Sequence, residues 1–170
     1  MLYLLDANVL ITAHNDYYPV HRVPEFWDWL LHHAQNGHVK MPVEMFEEIK
    51  DGSSDPEKDR LFGWVKDQHV KDTLVLAETV RIEDVQRVIA QGYAADLNDI
   101  ELERVGRDPF LIAYALTATT DRCVVSNEVS APAKMRANRK IPDVCRALGA
   151  KSCNTFALLK ALDFSTGWRG

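Results

Sequence analysis

Long apolar runs are missing from this chain of 170 residues. The opening run Met1–Leu5 is stopped by Asp6 and Asn8, whereas a secretory signal wants a basic start and roughly 7 to 15 uninterrupted apolar residues. No stretch approaches the roughly 20 apolar residues that span a bilayer, so no membrane role and a cytoplasmic location are expected. Cysteine is scarce as well. Cys123, Cys145 and Cys153 form no C-x-x-C pair and leave one over if any bridge forms, so they read as reduced core residues rather than a disulfide framework or a zinc site. An excess of positive charge is also lacking: 20 basic against 25 acidic side chains leave a formal net charge of -5, which argues against coating nucleic acid by bulk electrostatics.

What is present is the composition of a chain that can bury a core. Hydrophobic residues make up 46% and charged residues 26%, against roughly 45 to 50% and about 25% in soluble domains. Disorder and fibrous repeats are poor readings of such a chain, and its length fits one domain over residues 1–170. The net charge conceals a gradient, from -2 over residues 1–43 to -9 over 44–103 and +6 over 104–170. The positive end is densest at Lys134, Arg136, Arg139 and Lys140, in a stretch with Pro132 and Asn138 that reads as an exposed loop, either able to hold a phosphate backbone or simply solvated.

The run Leu2 to Leu5 reads as a strand buried on both faces and ending on Asp6. A helix is expected from Pro24 to a stop at Gly37, a short strand over His38–Met41, and a helix opened by Pro42 with Val43, Phe46 and Ile49 inward. The spacing then predicts a surface helix from Asp55 to Lys71, a short strand over Leu74–Leu76, and an amphipathic helix carrying Ile82, Val85, Val88 and Ile89. The acidic stretch Asp96–Glu103 reads as solvated surface. Pro109 opens a helix with an almost wholly apolar face through Leu116, followed by a strand over Cys123–Val125, a helix over Ile141–Leu148 closed by Gly149, a strand over Ala150–Cys153 and a helix over Thr155–Leu162. Strands separated by helices imply an α/β fold with a parallel sheet between helical layers.

In an open parallel sheet the reactive groups collect at the carboxyl ends of the strands. Leu5 ends on Asp6, and Val125 ends on Ser126-Asn127-Glu128; Glu48 and Asp108 lie near helix starts. Crowded carboxylates repel and stay protonated unless a cation neutralises them. Hard oxygen donors favour Mg2+ or Mn2+, ions that polarise phosphate oxygens and lower the pKa of bound water, which is phosphodiester-hydrolysis chemistry.

On these residues the chain resembles the PIN-domain nucleases, many of which are the toxin halves of bacterial and archaeal toxin-antitoxin pairs, and it looks like an uncharacterised prokaryotic branch of that superfamily. Tyr3-Leu4-Leu5-Asp6-Ala7-Asn8-Val9-Leu10-Ile11 is similar to the first motif, an apolar strand followed by Asp-x-Asn. Pro42-Val43-Glu44-Met45-Phe46-Glu47-Glu48-Ile49 is similar to the second and points to Glu48 ahead of Glu44 or Glu47. Asp108-Pro109-Phe110-Leu111-Ile112-Ala113-Tyr114-Ala115 resembles the third, and Cys123-Val124-Val125-Ser126-Asn127-Glu128 the fourth, usually Val-Val-Thr-x-Asp. Here Ser126 stands for the commoner Thr and Glu128 for the commoner Asp.

The resemblance implies a PIN-like three-layer α/β/α sandwich on a five-stranded parallel sheet, and Mg2+- or Mn2+-dependent RNA hydrolysis leaving a 3'-hydroxyl and a 5'-phosphate. Asp6 and Asp108 would be primary metal ligands, Glu48 would hold or orient metal and water, and Glu128 would complete the ring. Asn8 and Ser126, not ionised at neutral pH, would orient carboxylates, water or phosphate. It further implies a toxin's cognate antitoxin as a protein partner, and homodimers are common among relatives. His32, His33 and His38 lack the H-E-x-x-H or cysteine partners that zinc sites use and read as surface and partly buried histidines. Trp27, Trp29 and Trp64 read as core or partner-facing residues, and Asp143, after Pro142, suits a first helical turn. Two rivals remain. One is a non-catalytic RNA- or protein-binding module of the same fold. The other is a haloacid dehalogenase-type phosphatase with Asp6 as nucleophile, which has Asn8 and Leu10 where that class wants an aspartate and a hydroxyl.

Overall fold

A computed structural model describes residues 1–51 and 59–169 of the chain. The apolar run becomes β1 (Leu2–Leu5), and the chain turns at once into α1 (Ala7–Thr12), which runs on as a wider turn over Ala13–Tyr17. Next come α2 (Pro24–Gln35), opened by its proline, β2 (Val39–Lys40) and α3 (Val43–Asp51). In place of one helix reaching Lys71 there are two, α4 (Arg60–Val65) and α5 (Gln68–Leu74), and residues 55–58 of that expectation lie outside the described residues. Two aspartates account for the division. Asp59 accepts the Phe62 amide at 3.0 Å and Asp67 the His69 amide at 2.8 Å, so each starts a helix of its own.

The chain continues through α6 (Ile82–Val88), a wide turn over Ile89–Tyr93, α7 (Asp99–Val105) and α8 (Asp108–Leu116). The acidic stretch Asp96–Glu103 is exposed or partly exposed throughout, and part of it is helical. A capping box between Asn98 and Glu101 nucleates it, and acids in the first turn suit the positive end of a helix dipole. Then follow β3 (Arg122–Val125), α9 (Ile141–Leu148), ended by Gly149 in the left-handed region, β4 (Lys151–Cys153) and α10 (Thr155–Ala161).

The sheet has four strands among the described residues, all parallel, in the order β2-β1-β3-β4, and helices pack against it. The arrangement is compatible with a three-layer sandwich, but the expected fifth strand is absent. Leu74–Leu76 makes a single parallel bridge, Met41 to Val75, because α5 runs to Leu74 and the chain beyond is drawn off the sheet edge. There Glu78 accepts Arg122 at 2.8 Å through both oxygens, and its carbonyl accepts the Tyr114 hydroxyl at 3.2 Å. No described helix is long and apolar enough to cross a membrane.

Helix α8 buries Leu111 through Ala115 without interruption, as its all-round apolar sequence requires. On the other side of the core Trp27 and Trp29 are buried, with Trp27 edge-on to Trp64 at 4.7 Å. Leu111→Ala leaves a cavity in this helix and should lower stability by about 2 to 5 kcal/mol, read as an earlier midpoint in urea denaturation.

Candidate functional site

Strand order sets where a site can form. β1 lies inside the sheet, with β2 on one flank and β3 on the other, so the connections leaving β1 and β3 diverge at their carboxyl ends. Such a switch point opens a crevice in parallel α/β sheets. Leu5 pairs with Val125, so Asp6 and Ser126 come next to each other at its floor. The ladder runs one residue past each strand, with the Asp6 amide donating to Val125 at 2.9 Å and the Ser126 amide to Cys153 at 3.0 Å. Both side chains are 2% exposed, and the Ser126 hydroxyl donates to Asp6 Oδ2 at 2.8 Å while accepting the Glu128 amide at 3.2 Å. Ser126 thus restrains the Asp6 carboxylate. Asn8 is exposed and makes no side-chain hydrogen bond among the described residues.

Glu48 on α3 and Asp108 at the start of α8 line one cavity of about 420 Å³, together with Asp51, Glu103 and Arg107. Arg107 clamps its wall, donating to the Glu44 carbonyl at 3.0 Å and to Asp51 at 2.7 Å. Glu44 itself has one buried carboxylate oxygen with no partner among the described residues. Glu128 differs from the other acids because both its oxygens are engaged: Lys140 Nζ donates to one at 2.7 Å and the Ile141 amide, in the first turn of α9, to the other at 2.7 Å. Asp143 fits the first-turn reading. Its oxygens accept the Ser130 hydroxyl at 2.5 Å and the Ala131 amide at 2.7 Å, which ties down the segment after β3.

The basic cluster is not a free loop. Arg136 pairs with Asp96 at 2.8 Å and Glu101 at 2.7 Å, Arg139 donates to the Gly92 and Asp143 carbonyls, and Lys140 holds Glu128. Of the four, only Lys134 makes no side-chain hydrogen bond or ion pair among the described residues. Lys140 therefore places its positive charge against Glu128, where it also opposes the rise of the Asp108 pKa.

The four acids act on one another through their charge. Burial first, then Asp6, Glu128 and Glu48, push the Asp108 carboxyl up to about 8, with Lys140 opposing. Asp6 is raised chiefly by burial, against the Ser126 hydroxyl and the Asn8 amide, with Glu128 adding to the rise. Burial and Asp6 raise Glu48, and Arg107 pulls it back. The donor chemistry suits a hard divalent cation, since the groups are all carboxylates and crowded enough to keep one of them protonated. Among the described residues no three histidine, cysteine, aspartate or glutamate side chains are grouped closely enough to hold one ion directly. A cation here would rest on one or two carboxylates and complete its shell with water, the habit of Mg2+.

Sequence reading missed two neighbours of this cleft. Arg107 had a signal, its place directly before Asp108. Tyr93 had none. It is buried, its hydroxyl has no partner among the described residues, and after burial itself the charges of Asp108 and Glu128 raise its pKa.

The fold and cleft define an α/β protein with an acidic crevice at the switch point of a parallel sheet. Residues 3–166 match the model of the family described as Domain of unknown function (DUF4411), and the chain belongs to that family. A search of curated proteins finds no match.

The raised Asp108 pKa fixes a sign. In the folded state this carboxyl keeps its proton to about pH 8, and in the unfolded chain it loses it near 4. Its contribution to stability is thus full below pH 4 and is lost as pH rises toward 8, at up to about 1.4 kcal/mol per pH unit. In the absence of divalent ions, Asp108→Asn should flatten that fall, so that the urea midpoints of wild type and variant diverge between pH 6 and pH 8.

Proposed function

We propose that the protein is a divalent-metal-dependent endoribonuclease of the PIN-like class, a cytoplasmic enzyme that hydrolyses RNA phosphodiesters and is the toxin component of a toxin-antitoxin pair. The observation that supports this reading is that burial, followed by the charges of Asp6, Glu128 and Glu48, raises the Asp108 carboxyl to about 8, with Asp6 at the carboxyl end of β1 beside Ser126 at that of β3. Burying like charges costs stability and has no structural purpose here that an apolar residue would not serve better. Such clusters mark sites where charge is to be matched by a ligand.

A bound Mg2+ or Mn2+ supplies Lewis acidity toward the scissile phosphate and acidifies a bound water. The chain's own residues do the rest. Asp6 is held at Oδ2 by the Ser126 hydroxyl, which fixes the orientation of its carboxylate at the crevice floor. Asp108 and Glu48 face the same cavity and, once deprotonated, serve as cation ligands or accept a proton from the attacking water. Glu128 keeps Lys140 at the cleft, where an ammonium can meet a phosphate oxygen. Exposed Lys134 is the freest of the basic residues to touch RNA backbone outside the crevice.

The second reading, an RNA- or protein-binding module without catalysis, draws on one observation: both Glu128 oxygens are engaged within the chain. Purified protein with Mn2+ and single-stranded RNA separates the two. Cleavage that stops with chelator, and falls at least about 100-fold in Asp6→Asn and in Asp108→Asn, is the expected result. Intact RNA at every Mn2+ concentration, with RNA retained on the protein, would leave the binding module standing.

A free ribonuclease endangers its cell, so a small antitoxin that occupies the crevice is part of the proposal, as is a homodimer. Wild-type protein expressed alone should arrest growth and Asp6→Asn should not; equal growth of the two strains would remove the toxin assignment while leaving RNA processing in place.

A further inference from the structure

We propose that His33 and His38 form a two-histidine site for a borderline divalent transition ion such as Zn2+, at the turn that closes α2 and apart from the acidic cleft. The turn is a Schellman motif. Gly37 sits in the left-handed region at φ 73°, the His38 amide donates to the His33 carbonyl at 2.9 Å, and the Gly37 amide to the Ala34 carbonyl at 3.2 Å. This closure brings the side chains at the motif's two ends together, a contact that is usually hydrophobic. Here both ends are imidazoles, and their Nδ1 atoms face each other at 3.2 Å.

That distance fits the bite of a metal ion. Two Zn–N bonds of about 2.0 to 2.1 Å span roughly 2.9 Å between nitrogens at a right angle and about 3.4 Å at the tetrahedral angle, and the observed separation lies between these limits. The backbone bonds of the turn and the edge of Trp29 against the His33 ring at 4.9 Å limit the arrangement before any ion arrives. Burial, His32 and His38 lower the His33 pKa, which favours the neutral, ligating form of its ring. Imidazole donors select Zn2+, Cu2+ or Ni2+ over Mg2+. The His32 Nε2 lies 3.1 Å from Asn36 Nδ2 rather than facing the pair. With no third histidine, cysteine or acid joining among the described residues, the remaining positions are open to water or an incoming ligand.

The helical spacing of chelating motifs such as H-E-x-x-H gave no reason to expect a site here, because the contact is made by a left-handed glycine turn. His38 precedes β2, so the pair lies at the amino end of the sheet, opposite the carboxyl ends that carry Asp6 and Ser126.

The test is a titration of the whole chain with Zn2+, followed by the side-chain 15N signals of its histidines and by calorimetry. The ring signals of His33 and His38 should shift together as one equivalent is added and stay still with Mg2+. The corresponding binding heat should be lost in His33→Gln and in His38→Gln, while His21→Ala retains it. Ring signals of either histidine that stay unmoved at saturating Zn2+ in the wild type would overturn the site, leaving only an imidazole–imidazole hydrogen bond. So would Zn2+ heats unchanged in both folded glutamine variants, which would place the ion elsewhere.

Discussion

The parallel pairing of β1 with β3 is the constraint on which the rest of the molecule depends. It joins strands more than a hundred residues apart in sequence, and its register brings Leu5 beside Val125, so the next residues, Asp6 and Ser126, meet in a dry position. Both strands end fully buried at Leu4–Leu5 and Val124–Val125. Each such side chain contributes roughly 1.5 to 3 kcal/mol. That apolar ladder holds a carboxylate where water cannot reach it freely, at a cost that no polar interaction in the cleft repays in full.

Charge is arranged by the same folding. The gradient along the sequence, strongly negative in the middle and positive at the end, is largely neutralised within the chain: Arg122 reaches Glu78, Arg136 reaches Asp96 and Glu101, and Arg107 reaches Asp51. Most of these pairs are partly exposed, so each contributes little to stability, about 0 to 1 kcal/mol. Their larger effect is on the surface field. Basic residues that a linear reading assigns to a free patch are turned inward toward acidic neighbours, while Asp6, Glu48 and Asp108 make no ion pair among the described residues.

Much of this was legible in the sequence. Apolar runs marked β1 and β3, prolines marked the starts of α2, α3 and α8, and glycine marked the end of α9, because these signals act within a few residues. Asp6 and Ser126 could be placed at strand tips for the same reason. The division of the expected Asp55–Lys71 helix turned on side-chain caps at Asp59 and Asp67, which compete with helical periodicity and are hard to weigh beside it. The missing fifth strand was decided by tertiary contacts of Glu78 with Arg122 and Tyr114, and the fate of the basic cluster by partners such as Asp96 and Glu101, about 40 residues away. Nothing local encodes such distances.

That the fourth acid is a glutamate and not the shorter aspartate has a physical consequence. One added methylene lets the carboxylate reach the Ile141 amide and Lys140 together, at the positive end of α9, so the fourth acid carries its neutralising charge with it. Three acids remain to be balanced in the crevice, two of them on the shared cavity and one on the switch-point floor. A cation in such a site needs less compensating charge from the protein than a ring of four free carboxylates would give, and it has more room for water. On the proposed reading the cleft would suit a hydrated ion that exchanges water for phosphate oxygens better than one caged by protein ligands, with Lys140 as the positive charge offered to an arriving phosphate.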